Sequence, residues 1–130
     1  KADSTQAFVA MWFDSQMDLP YADGFAKALT AVGFRPMRID KVQHNEKIDD
    51  RIIAEIKRSR LLVADFTGHR GGVYFEAGLA LGCKIPVIWT CRSDDIKNSH
   101  FDTRQYNHIV WKDPNDIYIQ LKERVEATIL

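Results

Sequence analysis

Short apolar runs alternate along this chain with segments whose apolar residues recur every three or four positions. Residues 7–13, AFVAMWF, form a continuous apolar run that ends at Asp14. A run without polar alternation is typical of a parallel strand that is covered on both faces. Further strands are predicted at residues 36–39, 60–65, 85–91 and 108–111.

Helical periodicity fills the segments between these strands. In the first helix, Asp18 or Pro20 lies near the start and Gly33 just past the end. Later helices are predicted at residues 48–56, at about 72–82, and from Asp113-Pro114 onward. Strands that alternate with helices require crossover connections and a parallel sheet. We therefore predict an α/β fold: one flavodoxin-like or Rossmann-like three-layer sandwich with a five-stranded parallel sheet in the order 2-1-3-4-5.

Composition narrows the functional classes. The 130 residues suit one domain, and the formal net charge of zero argues against polymeric nucleic acid or a membrane surface as a partner. No apolar run reaches the length of a transmembrane helix. The chain has two cysteines, Cys83 and Cys91, which do not suggest a disulfide framework and are consistent with a reducing cytoplasm. The histidines are scattered along the chain, so we predict no metal site. Because the chain starts without Met and stops inside a helical pattern, we expect a domain cut from a longer protein.

The stretch LLVADFTGHRGGVYFEAGLALG, residues 61–82, combines a strand, a glycine-containing loop and a helix start. The N–H groups and dipole at a helix N-terminus favour an anion such as phosphate, and glycines let a ligand approach the backbone. Arg70, Gly71 and Gly72 are therefore predicted to bind a phosphate. The alternative is that Gly71-Gly72 only makes a tight turn.

Glu76 follows one turn into this helix, between the apolar or small residues Val73 and Ala80. We predict that it is a nucleophile or stabilises an oxocarbenium-like sugar centre. The alternative is an exposed glutamate that complements the helix dipole. Asp65 or Asp14, at the ends of strands three and one, would supply a second acid or hold a nucleobase; the alternative for both is a capping role.

The segment LLVADFTGHRGGVYFEAGLALGCKIPVI resembles the nucleoside 2-deoxyribosyltransferase-like family. The resemblance covers most of residues 7–92, and Glu76-Ala77-Gly78-Leu79-Ala80 is its most specific part. It implies that Glu76 takes the sugar at C1′ and releases the base, and that residues 70–72 hold a 5′-phosphate. The chain departs from the family at Phe8, where members carry an aromatic hydroxyl, and at Ile52, where they carry an aspartate; Asp49 is a possible substitute.

The same layout is similar to TIR domains, whose enzymatic members use a helix-borne glutamate to split NAD. Arg104, in the polar segment 99–111, is predicted to reach a phosphate, and Phe101 or Tyr106 to stack on a base; the alternative is an ion pair and core packing. The predicted catalytic residues are Glu76 and Asp65. The predicted substrate-binding residues are Phe13, Asp14, Asp49, Arg70, Gly71, Gly72 and Arg104.

These residues predict an N-glycosidase or deoxyribosyltransferase that acts on a nucleoside or nucleotide without a cofactor. The alternatives are a TIR-like NAD glycohydrolase and a non-catalytic nucleotide-sensing module. The expected partner is a small molecule, a nucleoside, nucleotide or NAD. We expect a homo-oligomer or a part of a multidomain chain.

Overall fold

The computed structural model describes residues 1–39, 50–96 and 107–130. Its strands are β1 (Gln6–Ala10), β2 (Arg35–Met37), β3 (Leu61–Asp65), β4 (Val87–Arg92) and β5 (Ile109–Trp111). They form one sheet in the order β2-β1-β3-β4-β5, and every neighbouring pair is parallel. The predicted fold class and strand order are confirmed.

Helices lie between β1 and β2, between β2 and β3 and between β3 and β4, and another helix follows β5. Helix α1 begins as a π-helical stretch, Pro20–Ala26, and continues as the α-helical Lys27–Ala31. The others are α2 (Asp50–Lys57), α3 (Gly71–Gly82) and α4 (Pro114–Thr128), and a short 3₁₀ turn, Ser15–Met17, precedes α1. Gly33 has φ +93°, a conformation that favours glycine, and it lies just past the end of α1 as predicted. No helix in the described ranges is both long and apolar enough to cross a bilayer.

Two apolar layers cover the sheet, one on each face. Alternate strand residues divide between them: Ala7, Val9, Leu61 and Val63 pack with α1 and α4, whereas Phe8, Ala10, Leu62 and Ala64 pack with α2 and α3. This division follows from the period of two in a strand, since successive side chains point to opposite faces. The face to which a side chain belongs therefore decides which helices it meets.

Strand β1 is shorter than the apolar run predicted. It was expected to reach Phe13, but its pairing with β3 ends at Ala10. Met11 is buried beyond the strand end, and Trp12 and Phe13 are partly buried there. The apolar run in the sequence is thus longer than the strand that pairs with β3. Its last three residues lie past the end of β1, at the carboxyl edge of the sheet.

Candidate functional site

Glu76 lies in the second turn of α3 and its side chain is 0% exposed. It shares the buried side of the helix with Val73, Ala77 and Ala80, which belong to the layer between the sheet and α2 and α3. Carboxylates are rarely buried so completely, because removing their charge from water is costly. The alternative interpretation, an exposed glutamate that complements the helix dipole, is wrong.

The N-terminus of α3 consists of two glycines, Gly71 and Gly72, that follow the N-cap residue. Arg70 occupies the N-cap position with extended backbone, φ −77° and ψ 126°. An arginine side chain has donors only, so it cannot accept a hydrogen bond from the first-turn N–H groups. Arg70 and Gly71 are exposed and Gly72 is partly buried. The three residues predicted to bind phosphate thus lie together at a helix start, just over one turn before Glu76.

Asp65 is fully buried at the end of β3 and accepts three hydrogen bonds from described residues. Its Oδ1 accepts from the Thr67 backbone N–H at 3.1 Å. Its Oδ2 accepts from Thr90 Oγ1 at 2.6 Å and from Trp111 Nε1 at 2.8 Å. Burial raises the pKa of this carboxyl, while the bonds from Thr67, Thr90 and Trp111 act in the opposite direction. These contacts give Asp65 an anchoring role between β3, β4 and β5.

Asp65 and Glu76 belong to opposite layers of the molecule. Asp65 follows Leu61 and Val63 in the alternation of β3, and its partner Trp111 lies in the layer of α1 and α4. Glu76 lies on α3, which packs on the other face. The prediction that Asp65 acts as a second catalytic group beside Glu76 therefore receives no support from the way the sheet places the two carboxylates.

The loop from β3 to α3 is hydrogen-bonded to the last residue of β4 and to the segment that follows it. Asp95 Oδ2 accepts from the Gly68 backbone N–H at 2.7 Å, and Thr67 Oγ1 accepts from the Arg92 backbone N–H at 3.0 Å. His69 Nε2 lies 3.0 Å from the Asp95 carbonyl oxygen and 3.2 Å from its Oδ1. Because a carbonyl only accepts, this geometry assigns the proton to Nε2. The bonds fix the position of the loop that leads into α3.

Trp12 holds the same loop from the side of β1. Gly68 has φ +82°, and a Cβ built there would lie 2.6 Å from the Trp12 ring. Such a distance is far inside van der Waals contact, so only a glycine lets the indole lie against this backbone. The predicted first strand included Trp12; this residue lies beyond the end of β1, partly buried, and packs against the layer of α1 and α4.

Asp14 caps the 3₁₀ turn that follows β1. Its Oδ1 accepts from the Gln16 backbone N–H at 3.1 Å. This is the capping role that the sequence left open for Asp14. The hydrogen bond from Gln16 engages one oxygen of the Asp14 carboxylate. The predicted contact of Asp14 with a substrate would therefore use the other acceptor positions of this carboxylate.

Arg38 is a candidate site residue that the sequence did not indicate. It follows β2, and its guanidinium carbon lies 4.5 Å from the centroid of the Phe13 ring and 3.9 Å from that of Tyr21. Arg38 Nη1 also donates to Met11 Sδ at 3.8 Å. Phe13, predicted to bind substrate, is thus one side of an aromatic clamp on a cation. A single arginine after a short strand carries no sequence motif, so only the tertiary contacts reveal it.

Several predicted positions lie outside the described residues or lack a polar group. Asp49, Arg104, Phe101 and Tyr106 are outside the described ranges. Phe8 and Ile52, the two positions that depart from the resembled family, are buried in the layer of α2 and α3. They are apolar neighbours in the same layer as Glu76, and they supply neither a hydroxyl nor a carboxylate there.

The comparisons leave the family open: a scan of protein-family models gave no match, and a search of curated proteins found no similar sequence. Among the described residues, no three His, Cys, Asp or Glu side chains are grouped so as to hold a metal ion. The geometry at the carboxyl edge of the sheet is what points to a function.

Proposed function

We propose that this domain binds a nucleoside or nucleotide at the carboxyl edge of β1 and β3 and cleaves its N-glycosidic bond with Glu76. The observation that carries the proposal is the complete burial of the Glu76 carboxylate on the sheet side of α3. Ligands of open α/β sheets bind outside the carboxyl ends of strands, at the point where the strand order reverses. In the order β2-β1-β3 this point lies beside β1, and α3 starts from the same edge.

The chemistry requires one carboxylate in contact with the sugar. An oxygen of Glu76 attacks C1′, the bond from C1′ to the base nitrogen breaks, and its electron pair leaves with the base, which takes up a proton. Water then attacks C1′, releases the sugar and regenerates the carboxylate; a second base in place of water gives transfer. The buried position of Glu76 favours this reaction, because a desolvated carboxylate interacts strongly with a positive charge that develops at C1′.

The phosphate of a nucleotide is assigned to the start of α3. Gly71 and Gly72 offer first-turn N–H groups, and Arg70 adds an exposed guanidinium beside them. The bonds from Asp95 and the contact with Trp12 hold this loop in place before a ligand arrives. Such preorganisation lowers the entropy that binding would otherwise lose.

Base release from a panel of nucleosides, nucleoside monophosphates and NAD tests the proposal. Chromatography of the products is expected to show a free base, and Glu76→Gln is expected to lower kcat by roughly a thousand-fold or more. The matched control is Glu126→Gln, at an exposed position of α4, which should leave kcat unchanged. Release of nicotinamide from NAD alone would replace the leading proposal with a TIR-like NAD glycohydrolase.

A second candidate is a nucleotide-binding module without turnover. The specific observation in its favour is that Phe8 and Ile52 place apolar groups in the layer of Glu76 where the resembled family carries polar ones. This candidate predicts that a nucleotide raises Tm by binding the folded state, with no base released. Release that disappears in Glu76→Gln would rule it out.

A further inference from the structure

Strand β5 lies at one end of the sheet, so half of its backbone groups point away from β4. Trp111 faces β4, since its carbonyl accepts from the Ser93 backbone N–H at 2.8 Å. The backbone groups of successive strand residues point to opposite sides, so those of Val110 and of Lys112, just after β5, point outward. An open edge of this kind is a template to which another strand can add.

Two side chains of α4 occupy these outward groups. Gln120 Nε2 donates to the Val110 carbonyl at 3.0 Å, and Asp116 Oδ2 accepts from the Lys112 backbone N–H at 3.0 Å. Gln120 Nε2 also donates to Asp116 Oδ1 at 2.9 Å, which joins the two side chains. A strand added to β5 in either direction would need the same carbonyl and the same N–H. The two side chains therefore take the place of part of an added strand.

The same face of α4 extends this arrangement to the start of β5. Arg124 Nη1 donates to the Asn107 carbonyl at 2.8 Å. Asp116, Gln120 and Arg124 are spaced four residues apart and therefore lie on one face of the helix. We call these three residues the edge row. Its first member is fixed at the start of α4, because the Asp116 backbone N–H donates to Asp113 Oδ1 at 2.8 Å.

The opposite edge of the sheet, β2, is closed in a different way. Arg35 donates its backbone N–H to the Thr5 carbonyl at 2.7 Å, so it faces β1. The next residue, Pro36, therefore directs its nitrogen outward, and proline has no N–H to donate. At each end of the sheet, part of the hydrogen-bonding pattern that an added strand needs is thus withheld.

We propose that the edge row prevents a second copy of this chain from adding its own β5 to the sheet. The sequence of β5, Ile109-Val110-Trp111, favours strand pairing, and Val110 is 40% exposed. A strand from another copy would have to displace Gln120 and Asp116 before it could pair. This inference is independent of the proposed function, because the edge row contributes no residue to the candidate site.

Sedimentation velocity over a range of concentrations tests the proposal with wild type, Gln120→Met and the matched control Asn115→Met. Both changes replace an uncharged amide of α4 with methionine, but Asn115 is an exposed residue outside the edge row. We expect Gln120→Met to lower the Kd of self-association at least ten-fold, because it removes the donor to the Val110 carbonyl. Asn115→Met should associate as wild type does. Thermal unfolding shows whether each variant is folded.

Hydrogen exchange followed by NMR identifies the surface through which the variant associates. The outward N–H of Val110 should gain protection in associated Gln120→Met, because an added strand would accept its hydrogen. Adding Val110→Lys to Gln120→Met should reverse the association, since a charge on an edge strand opposes strand addition.

Folded Gln120→Met that associates no more than wild type overturns the proposal, and so does an equal increase in Asn115→Met. Association that leaves the Val110 N–H unprotected, or that persists after Val110→Lys, occurs through another surface and also overturns it. If Gln120→Met fails to fold, Gln120→Ala decides by the same comparison, because it removes the same donor with a residue that favours a helix.

Discussion

Trp111 Nε1 donates a hydrogen bond of 2.8 Å to Asp65 Oδ2, which joins the last strand of the sheet to the central one. The same oxygen accepts from Thr90 Oγ1 on β4, the strand between them. One buried carboxylate therefore ties the carboxyl ends of β3, β4 and β5 together. Asp65 therefore connects three strands, at a position for which the sequence suggested a catalytic role.

The contribution of this network to stability is tested by Thr90→Val. The change keeps the shape of the side chain but removes the 2.6 Å donor to a buried carboxyl group, so we expect a loss of about 1.5–3 kcal/mol in the free energy of unfolding. Urea unfolding measures it. Thr128→Val is the control, since Thr128 donates to the Arg124 carbonyl at an exposed position of α4, and its effect should stay within about 0.5 kcal/mol.

Stability should depend on pH through Asp65. Burial raises the pKa of Asp65 above its ordinary value of 3.8, so the folded chain holds this proton more tightly than the unfolded chain. The stability that this proton binding contributes is complete at pH values below the pKa of Asp65 in the unfolded chain. It is lost as the pH rises through the pKa of Asp65 in the folded chain. We expect the free energy of unfolding of wild type, relative to Asp65→Asn, to fall as pH increases above about 3.8. Urea unfolding across that range measures the difference, and a flat or rising difference contradicts the assignment.

Gly68 and Gly78 should respond to alanine in opposite directions. At Gly68 the new Cβ meets both a φ of +82° and the Trp12 ring at 2.6 Å, so Gly68→Ala should lower stability by about 1–3 kcal/mol. At Gly78, inside α3, no atom of the described residues lies within 4 Å of the new Cβ, and Gly78→Ala should raise stability by about 0.5–1 kcal/mol. Thermal unfolding compares them. Adding Trp12→Ala to Gly68→Ala should recover the steric part only, and full additivity of the two changes would refute the contact.

The cysteines should differ in reactivity. Cys83 is free and exposed at the end of α3, whereas Cys91 is free and buried in β4. Burial first, and then the nearby Asp65 and Asp95 carboxylates, raise the pKa of Cys91 to about 12. Since the thiolate is the reactive form, a thiol reagent at pH 8 should modify one equivalent quickly and a second only after unfolding. Cys83→Ser should remove the fast equivalent; two fast equivalents in wild type would contradict the burial of Cys91.

Strand order and the direction of Glu76 were predictable because they depend on local patterns. Apolar runs alternating with helical spacing lead to parallel crossovers, and Val73 and Ala80 indicate the inward side of α3. Asp65 was harder to interpret because its partners Thr90 and Trp111 lie 25 and 46 residues further along the chain. Arg38 was missed for a similar reason: its orientation depends on one ring from the segment after β1 and another from α1, which no spacing in the sequence connects.

Trp12 and Phe13 are consecutive in the chain, yet they contact groups on opposite sides of β1. The indole lies against Gly68 in the loop before α3, and the Phe13 ring lies against Arg38. One planar peptide group joins the two contacts. Two adjacent residues past the end of β1 thus contact both the loop before α3 and the side chain that follows β2. A substitution at Trp12 or Phe13 therefore changes the surroundings of one of these two neighbours without touching a strand residue.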